Sequence, residues 1–341
     1  MKKLRVGMIG CGRISSVYQD AFAKLGDSIE VVVAVDKDIN RAKQFARSFP
    51  GCDFSDKLEN ITNLASLDVM HVLTPHFLHK EHVILCLESG VHVLTEKPIA
   101  INMDDAYEMC DAARRTGKKL GVIFQNRYIK GIVQAKRLLL EGRLGRVTGA
   151  WSSLNWWRPP SYYECDWKGS WDKEGGGVVI DQAIHSIDLV RYLMGCEAET
   201  VQGHIDTRIL SHIEVEDVAD AAITFENGAV YSFYACNYFT ANSPIQIMVS
   251  TEKGFILLNG DTVTIQLDGQ ETVIKNNADS GQDEYAYWGK CHFDQIKDYY
   301  HCLQNHQPVP IPPEDATKTL EIVLAIYRSS KEERKLVLKE T

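Results

Sequence analysis

Residues 4–15 of the chain read LRVGMIGCGRIS, and this stretch decides the fold of its first part. The apolar run Leu4–Ile9 has strand character and leads directly into the pattern Gly10-x-Gly12-x-x-Ser15, after which a helical pattern begins. In a dinucleotide-binding turn the first glycine allows a sharp bend, and the second lets the backbone approach a pyrophosphate at the start of the helix. An ordinary glycine-rich turn is the alternative, but the strand before it and the helix after it favour a dinucleotide site.

Strand-like and helical patterns alternate through the first third of the chain, which is typical of βαβ units and a parallel sheet. The predicted strands are residues 4–9, 31–35, 68–73, 91–95 and 120–124. The predicted helices are residues 15–25, 39–49, 79–88 and 103–116. We therefore expect residues 1–125 to form one doubly wound Rossmann domain in a protein of the α/β class.

Residues 126–341 follow a different pattern and predict a second, sheet-rich α/β domain. A helix near residues 133–141 precedes alternating segments at 147–157, 218–225, 230–238, 245–249, 255–258, 263–267 and 272–274. Asn227-Gly228 lies between two of them, and this dipeptide supplies the positive φ angles that a tight hairpin turn requires. A final helix is expected at about residues 314–331, as a candidate to pack back onto the body.

The composition of the 341 residues is that of a folded globular protein with a small-molecule partner. Hydrophobic residues make up 45%, charged residues 24%, and the formal net charge is -9, which argues against nucleic acid or an anionic membrane surface as partner. Nine cysteines without a Cys-x-x-Cys pair predict reduced thiols, no metal site and a cytoplasmic location. No segment reaches the roughly 20 apolar residues of a membrane span.

The second predicted strand ends at Asp36, 24 residues after Gly12. An acid at this place accepts hydrogen bonds from ribose hydroxyls and repels a 2′-phosphate, so NAD is favoured over NADP. Lys37 and Arg41 are close enough in sequence to weaken that repulsion. The alternative for Asp36 is an ordinary turn acid after a strand.

Two separate stretches of the sequence contain candidate catalytic residues. Lys97, in Glu96-Lys97-Pro98, follows a predicted parallel strand, and ligands bind at the carboxyl edge of such sheets, although a lysine there is often only a solvated charge. Asp181 and His185 follow the glycine run 175–177 with helical spacing, so they are expected on one helix face. For either residue alone, a helix-start acid or a core histidine is the simpler reading.

An aromatic-rich segment precedes that glycine run. Residues 156–163 read WWRPPSYY and residues 167–171 read WKGSW. Aromatic faces with Arg, Lys and Tyr donors suit a polyhydroxylated ring, so we expect contact with substrate from this segment. A loop whose tryptophans are simply packed on the sheet is the alternative.

Five motifs together resemble the Gfo/Idh/MocA family of glucose–fructose oxidoreductase and inositol dehydrogenase relatives, in the same order and over essentially the whole chain. They are the glycine fingerprint, Thr74-Pro75-His76-x-x-His79, Glu96-Lys97-Pro98, Gln125-Asn126-Arg127 and the segment from Gly175 to His185. The resemblance implies a Rossmann domain and an α/β domain whose open, mostly antiparallel sheet lines the substrate cleft. It also implies a homodimer or homotetramer formed through that sheet.

The resemblance and the patterns above assign roles by position. The catalytic candidates are Lys97, Asp181 and His185. The residues expected at the cofactor are Gly10, Gly12, Arg13, Ile14, Asp36, Lys37, Arg41, Thr74, Pro75, His76, His79, Glu96, Lys97 and Gln125. The residues expected at the substrate are Lys97, Arg127, Trp157, Arg158, Tyr163, Lys168, Asp181 and His185. His76 departs from the family pattern, where asparagine is common, which leaves its contact undefined.

These assignments predict an NAD(H)-dependent oxidoreductase that moves a hydride between nicotinamide and a ring hydroxyl or ketone of a sugar, glycoside or cyclitol. His185, with an ordinary pKa near 6.5, suits removal of the hydroxyl proton, and Lys97 would stabilise charge on the same oxygen. Asp181 would orient the imidazole or bind a neighbouring hydroxyl. Redox-assisted glycoside processing through a 3-keto sugar, and a non-catalytic dinucleotide-binding regulator, stay open as alternatives.

Overall fold

A computed structural model describes residues 3–61, 64–276 and 291–338 of the protein. The chain divides into two compact units, and each is formed by two stretches of sequence. The first unit lies within residues 1–123 and 292–317, and the second within residues 124–291 and 318–341.

Strands and helices alternate along the first stretch of the first unit. In chain order they are β1 (Leu4–Ile9), α1 (Ser15–Leu25), β2 (Ile29–Val35), α2 (Ile39–Ala46), β3 (Asp53–Ser55), β4 (Val69–Val72), α3 (His79–Glu88), β5 (His92–Thr95), α4 (Met103–Thr116) and β6 (Leu120–Val122). The six strands form one sheet in the order β3-β2-β1-β4-β5-β6, and all its neighbouring strands are parallel. This is the doubly wound order of dinucleotide-binding folds, with its switch point between β1 and β4.

The second unit is built around one larger sheet. Its elements up to residue 276 are α5 (Lys130–Leu140), β7 (Val147–Asn155), α6 (Ile184–Met194), β8 (Ala198–Asp206), β9 (Val218–Phe225), β10 (Val230–Cys236), β11 (Gln246–Thr251), β12 (Gly254–Asn259), β13 (Thr262–Leu267) and β14 (Gln270–Lys275). A π-helical turn, Val179–Ala183, directly precedes α6. The sheet is therefore preceded and interrupted by helical segments, as expected for an α/β domain.

Nine strands form this second sheet, in the order β14-β13-β12-β11-β7-β10-β9-β8-β15, where β15 is Leu336–Val337. Only the β10–β7 pair is parallel among its described pairs. The predicted hairpin at Asn227-Gly228 joins β9 to β10, but only Gly228 has a positive φ, of 81°. A four-residue connection rather than a two-residue turn removes the need for a second left-handed residue.

Helix α7 (His292–Gln304) returns to the first unit, whereas the sequence predicted one continuous second domain from residue 126. The apolar face of α7 accounts for the difference. Ile296, Tyr299 and Tyr300 are buried in the same core as residues of β1, β4 and α1. The hydroxyl of Tyr299 also donates to the carbonyl of Val93, at 2.8 Å. The remaining helix, α8 (Pro313–Glu332), matches the predicted one closely.

Candidate active site

The glycine turn after β1 uses its two central glycines for different reasons. Gly10 has a φ of 92°, and a Cβ there would lie 2.5 Å from the carbonyl oxygen of Leu73. At Gly12 a Cβ would meet no described atom within 4 Å. The fold itself therefore requires glycine at position 10, whereas position 12 leaves space beside the N-terminus of α1 that suits a pyrophosphate. Arg13 is exposed and Ile14 half-buried next to this space.

Asp36 follows β2 and is tied to the same turn. Its Oδ2 accepts a hydrogen bond from the Cys11 N–H at 2.7 Å, and its Oδ1 accepts one from the Asp38 N–H at 2.8 Å. The two oxygens have further lone pairs, so the carboxylate can hold the turn and still accept from a ribose. Lys37 is exposed, and the Arg41 guanidinium forms an exposed ion pair with Asp38, at 3.5 Å.

The Thr74–His79 motif forms the loop after β4, and His79 fastens it to the loop after β5. The His79 ring is fully buried, with Nδ1 2.7 Å from the Pro98 carbonyl and Nε2 2.9 Å from the Thr74 carbonyl. Burial lowers the pKa of His79 to about 4, against the effect of the two carbonyls. Pro75 is half-buried and His76 is buried beside this ring. His79 thus connects two loops at the sheet edge and presents no exposed surface to a cofactor.

Glu96 is held from three sides inside the first unit. The Tyr18 hydroxyl donates to its Oε1 at 2.8 Å, and Nε2 of His292 lies 3.4 Å from the same oxygen. Burial opposes ionisation, but His292, Lys97 and Tyr18 outweigh it and lower the pKa of Glu96 to about 2. Its Oε2 accepts from the Lys97 N–H at 3.3 Å. Glu96 therefore fixes the backbone that carries Lys97, which is half-buried directly after β5.

The Gln125-Asn126-Arg127 motif belongs to the second unit and is almost completely buried. The Arg127 guanidinium forms a two-pronged ion pair with Asp188 on α6, with distances of 2.8 Å and 2.6 Å. It also lies over the Tyr192 ring, 4.8 Å from its centroid. Asp188 occupies the Nε–Nη2 edge of the guanidinium and so fixes Arg127 within the second unit, while the predicted substrate contact of Arg127 stays a prediction.

Asp181 is the centre of a polar cluster in the second unit. Its Oδ2 accepts hydrogen bonds from the Tyr162 hydroxyl at 2.6 Å, the Lys168 ammonium at 2.6 Å and the Gln182 amide at 2.5 Å. Gln182 in turn accepts from the Asn237 amide at 2.9 Å. Sequence reasoning found Asp181 and Lys168 but missed the other three, of which Tyr162 lay inside the quoted aromatic segment.

The backbone before Asp181 is held by a buried carboxylate from a distant part of the chain. Glu216 accepts from the N–H groups of Gly177 and Val179, at 2.8 Å and 3.0 Å, and from the Tyr327 hydroxyl at 2.9 Å. A Cβ at Gly177 would lie 1.9 Å from the Glu216 carbonyl oxygen, and one at Gly176 would lie 2.1 Å from the Tyr327 hydroxyl. The glycine run therefore exists because two residues approach the backbone closely.

The helical segment that carries Asp181 and His185 is not a uniform α-helix. Asp181 lies in the π-helical turn, and His185 is the second residue of α6. The placement of Asp181 and His185 on one helix face therefore stays a prediction. His185 is half-buried, and its ring meets the Phe124 ring edge to face at 6.1 Å.

The aromatic segment divides between core and surface. Trp156 is buried and its indole N–H donates to the Ser243 carbonyl, whereas Trp157 is 40% exposed. The Arg158 guanidinium is buried over the rings of Trp156 and Tyr162, 4.6 Å and 5.1 Å from their centroids. The Tyr163 hydroxyl accepts from the Asn237 amide at 3.2 Å. Arg158 and Tyr163 thus support the cluster around Asp181, and Trp157 offers an open aromatic face.

Two classes of feature are absent from the part of the chain that the structure describes. No group of three or more His, Cys, Asp or Glu side chains there has an arrangement that could hold a metal ion. None of the helices in the same residues has both the length and the apolar character that a membrane crossing requires.

Comparison with known families and proteins identifies relatives over most of the chain. A family model described as an oxidoreductase family with an NAD-binding Rossmann fold matches residues 4–124, and the GFO/IDH/MocA C-terminal domain matches residues 132–257. The 1-carboxy-3-chloro-3,4-dihydroxycyclohexa-1,5-diene dehydrogenase of Comamonas testosteroni is 31% identical over 240 residues, which are 68% of this chain and 58% of that protein. The scyllo-inositol 2-dehydrogenase (NADP⁺) of Bacillus subtilis (strain 168) is 25% identical to this chain. The alignment covers 98% of this chain and 96% of that protein.

The fold is also found in a solved structure with bound ligands. The WlbA dehydrogenase of Bordetella pertussis, in complex with NADH and UDP-GlcNAcA, superimposes with a TM-score of 0.84 at 28% identity. The superposition covers 98% of this chain and 99% of that one. The fold of this chain is therefore one that a dehydrogenase also has.

Proposed function

The chain belongs to the Gfo/Idh/MocA family of NAD-binding oxidoreductases, and from this premise we propose that it transfers a hydride between nicotinamide and a ring hydroxyl or ketone of a sugar, glycoside or cyclitol. The observation that carries the proposal is the buried polar and aromatic cluster around Asp181. Carboxylate, amide and hydroxyl groups next to aromatic faces suit a ring that is apolar on its faces and hydroxylated at its edge. The relatives named above fit this class, since their names include a dihydroxylated carbocycle and an inositol.

The first unit fits the nicotinamide dinucleotide. Open space at Gly12 beside the N-terminus of α1 suits the pyrophosphate, and the Asp36 carboxylate suits an unphosphorylated ribose, so NAD is preferred over NADP. When bound, the cofactor supplies the hydride acceptor or donor. We assign His79 and Glu96 to positioning, because both are buried and hold the loops that carry Thr74 and Lys97.

Lys97, Asp181 and His185 are the proposed catalytic residues. Oxidation of a hydroxyl carbon releases a hydride to the cofactor and a proton to a base, and the imidazole of His185 suits that base at neutral pH. The Lys97 ammonium stabilises negative charge on the reacting oxygen. The Asp181 carboxylate binds a neighbouring hydroxyl or orients the imidazole.

A substrate panel with matched variants tests the proposal. Purified protein is incubated with NAD⁺ or NADP⁺ and inositols, aldoses, methyl glycosides or sugar nucleotides, and reduction of nicotinamide is followed by absorbance. Turnover that disappears in Lys97→Ala but persists in Lys57→Ala, an exposed lysine of the same unit, supports the dehydrogenase. Cofactor binding without turnover on any compound would favour a regulator. Release of an aglycone would favour glycoside processing through a keto sugar.

The outer face of the nine-stranded sheet is the surface we propose for a homodimer or homotetramer. Trp151, which is 39% exposed, pairs across strands with Met248 and Ser232 on this face. Tyr234 on β10 is 38% exposed. Light scattering of wild type and Trp151→Asp tests the assignment, which predicts a smaller species for the variant.

A cytoplasmic location is also proposed, on the cysteine pattern alone.

A further inference from the structure

Lys168 lies in an unusual position for a residue expected to contact substrate. Its ammonium is 2.6 Å from Oδ2 of Asp181 and 3.2 Å from Oε1 of Glu174. The centroids of the Tyr162 and Trp167 rings each lie 4.4 Å from the same nitrogen. Two carboxyl groups and two aromatic rings therefore surround one ammonium group, whose side chain is only 11% exposed.

Two carboxyl groups, of Asp181 and Glu174, face the single ammonium group of Lys168. Glu174 is fully buried, and this burial raises the pKa of Glu174 to about 8, although Lys168 and the Gly169 N–H act in the opposite direction. Burial therefore disfavours the charged form of Glu174. Burial disfavours the charged form of Lys168, but the nearby carboxylates outweigh it and raise its pKa. The ammonium thus remains charged, and Asp181 is the carboxylate that balances it.

Lys168 also fixes the direction of the Asp181 side chain. Tyr162 and Gln182 donate to the same Oδ2 as Lys168, so three donors converge on one oxygen. Burial raises the pKa of Tyr162 to about 12, which keeps its hydroxyl a donor throughout the physiological range. With Oδ2 held in this way, rotation of the carboxylate would break three hydrogen bonds at once.

We propose that Lys168 is a positioning residue, which holds Asp181 as an oriented carboxylate for the substrate rather than binding the substrate itself. The catalytic role of this positioning rests on the proposed function. The ion pair between Lys168 and Asp181 is itself part of the second unit. The other titratable or charged groups near Lys168 and Asp181 are Glu174, Tyr162, Tyr163 and Arg158. Of these, Arg158 is the only other cation, and it lies over the Tyr162 ring.

The first test measures Asp181 without any substrate. The full-length protein is labelled with carbon-13 at the aspartate side-chain carboxyls, and the Asp181 signal is assigned by its loss in Asp181→Asn. In Lys168→Met, which keeps an unbranched chain between the rings, the midpoint of the Asp181 titration should rise by about 1 unit or more, because a cation in contact is lost. Lys173→Met is the matched control, since Lys173 is a half-buried lysine of the same loop whose ammonium donates to the Asp166 carbonyl at 2.8 Å.

An unchanged Asp181 midpoint in Lys168→Met would overturn the proposal. Lys168→Arg keeps the charge and should restore the wild-type midpoint. If Lys168→Met does not fold, Lys168→Gln, which keeps a hydrogen-bond donor without the charge, should raise the same midpoint, and an unchanged midpoint there would equally overturn the proposal. Because burial favours the uncharged form of Glu174, Glu174→Gln should change the midpoint less than Lys168→Met does, and an equal or larger shift would contradict the charge assignment.

The second test uses the compound that wild type oxidises in the substrate panel. The acidic limb of the kcat/KM profile should move to higher pH in Lys168→Met by the shift measured for Asp181, about 1 unit or more, with a smaller loss near pH 8. Lys168→Arg should recover most of the loss. A loss confined to KM and equal at all pH values would instead identify Lys168 as a substrate ligand. If wild type oxidises nothing, the proposed function fails while the titration still decides the role of Lys168.

Discussion

The buried ion pair between Arg127 and Asp188 gives the prediction that the structure defines best. The two side chains are 7% and 1% exposed, and two hydrogen bonds join them, with the Thr319 hydroxyl as a further donor to Asp188 at 3.0 Å. In Arg127→Met the Asp188 carboxylate keeps its burial but loses its cation. Breaking such a pair from one side costs about 3–5 kcal/mol in the free energy of unfolding.

The double variant separates the pair from the packing around it. In Arg127→Met/Asp188→Leu no buried charge is left, so most of the loss should be recovered, except for about 1 kcal/mol from the Thr319 hydroxyl that loses its acceptor. Denaturant unfolding of wild type, both single variants and the double variant provides the interaction energy. Arg114→Met is the control, since Arg114 pairs with Asp111 on the surface and should contribute less than about 1 kcal/mol.

Kinetics of the same variants refute or support the structural role. If the ion pair between Arg127 and Asp188 serves only stability, the KM of the double variant should be close to that of wild type. A single variant that loses under about 1 kcal/mol of stability and raises KM more than about tenfold would refute the reasoning. In that case Arg127 would be the substrate ligand that the sequence suggested.

Three further predictions follow from single positions. Gly12→Val should abolish NADH binding, measured by fluorescence, with little loss of stability, whereas Gly10→Val should fail to fold, because only Gly10 is crowded by the protein itself. Burial raises the pKa of Glu216 to about 7. The contribution of Glu216 to the free energy of unfolding is therefore fully present below about pH 4.5 and is lost as the pH rises through 7. In urea unfolding, Glu216→Gln should destabilise the protein more near pH 5 than near pH 8, and an equal effect at both pH values would contradict this. Asp36→Ser should raise kcat/KM with NADP⁺ relative to NAD⁺, and an unchanged ratio would remove Asp36 as the selective residue.

The periodicity of the sequence predicted the first unit well. Helices α1, α3 and α4 and strand β1 have the bounds that the pattern indicated, since each begins or ends at a local signal such as a glycine or a capping residue. The family resemblance, the α/β class and NAD as cofactor are confirmed by the family matches. These properties depend on short-range patterns and on motifs that a chain carries in order.

Long-range contacts could not be predicted in the same way. Nothing near residue 292 in sequence indicates that α7 packs in the first unit, because its apolar face fits equally well on any core. Likewise, His292 and Tyr18 meet Glu96 although 196 and 78 residues separate them from it. Such partners are chosen by tertiary packing, which local propensity does not contain.

The sequence by itself determined most of the strands and helices within residues 1–123, with β3 missed, the glycine turn with Asp36, and the identity of Lys97, Asp181 and His185 as candidates. Only the tertiary structure decided what surrounds them. It directed Arg127 to Asp188, Glu216 to the glycine run, and Lys168 to Asp181, because a buried charge must find its partner wherever the fold brings one within hydrogen-bonding distance.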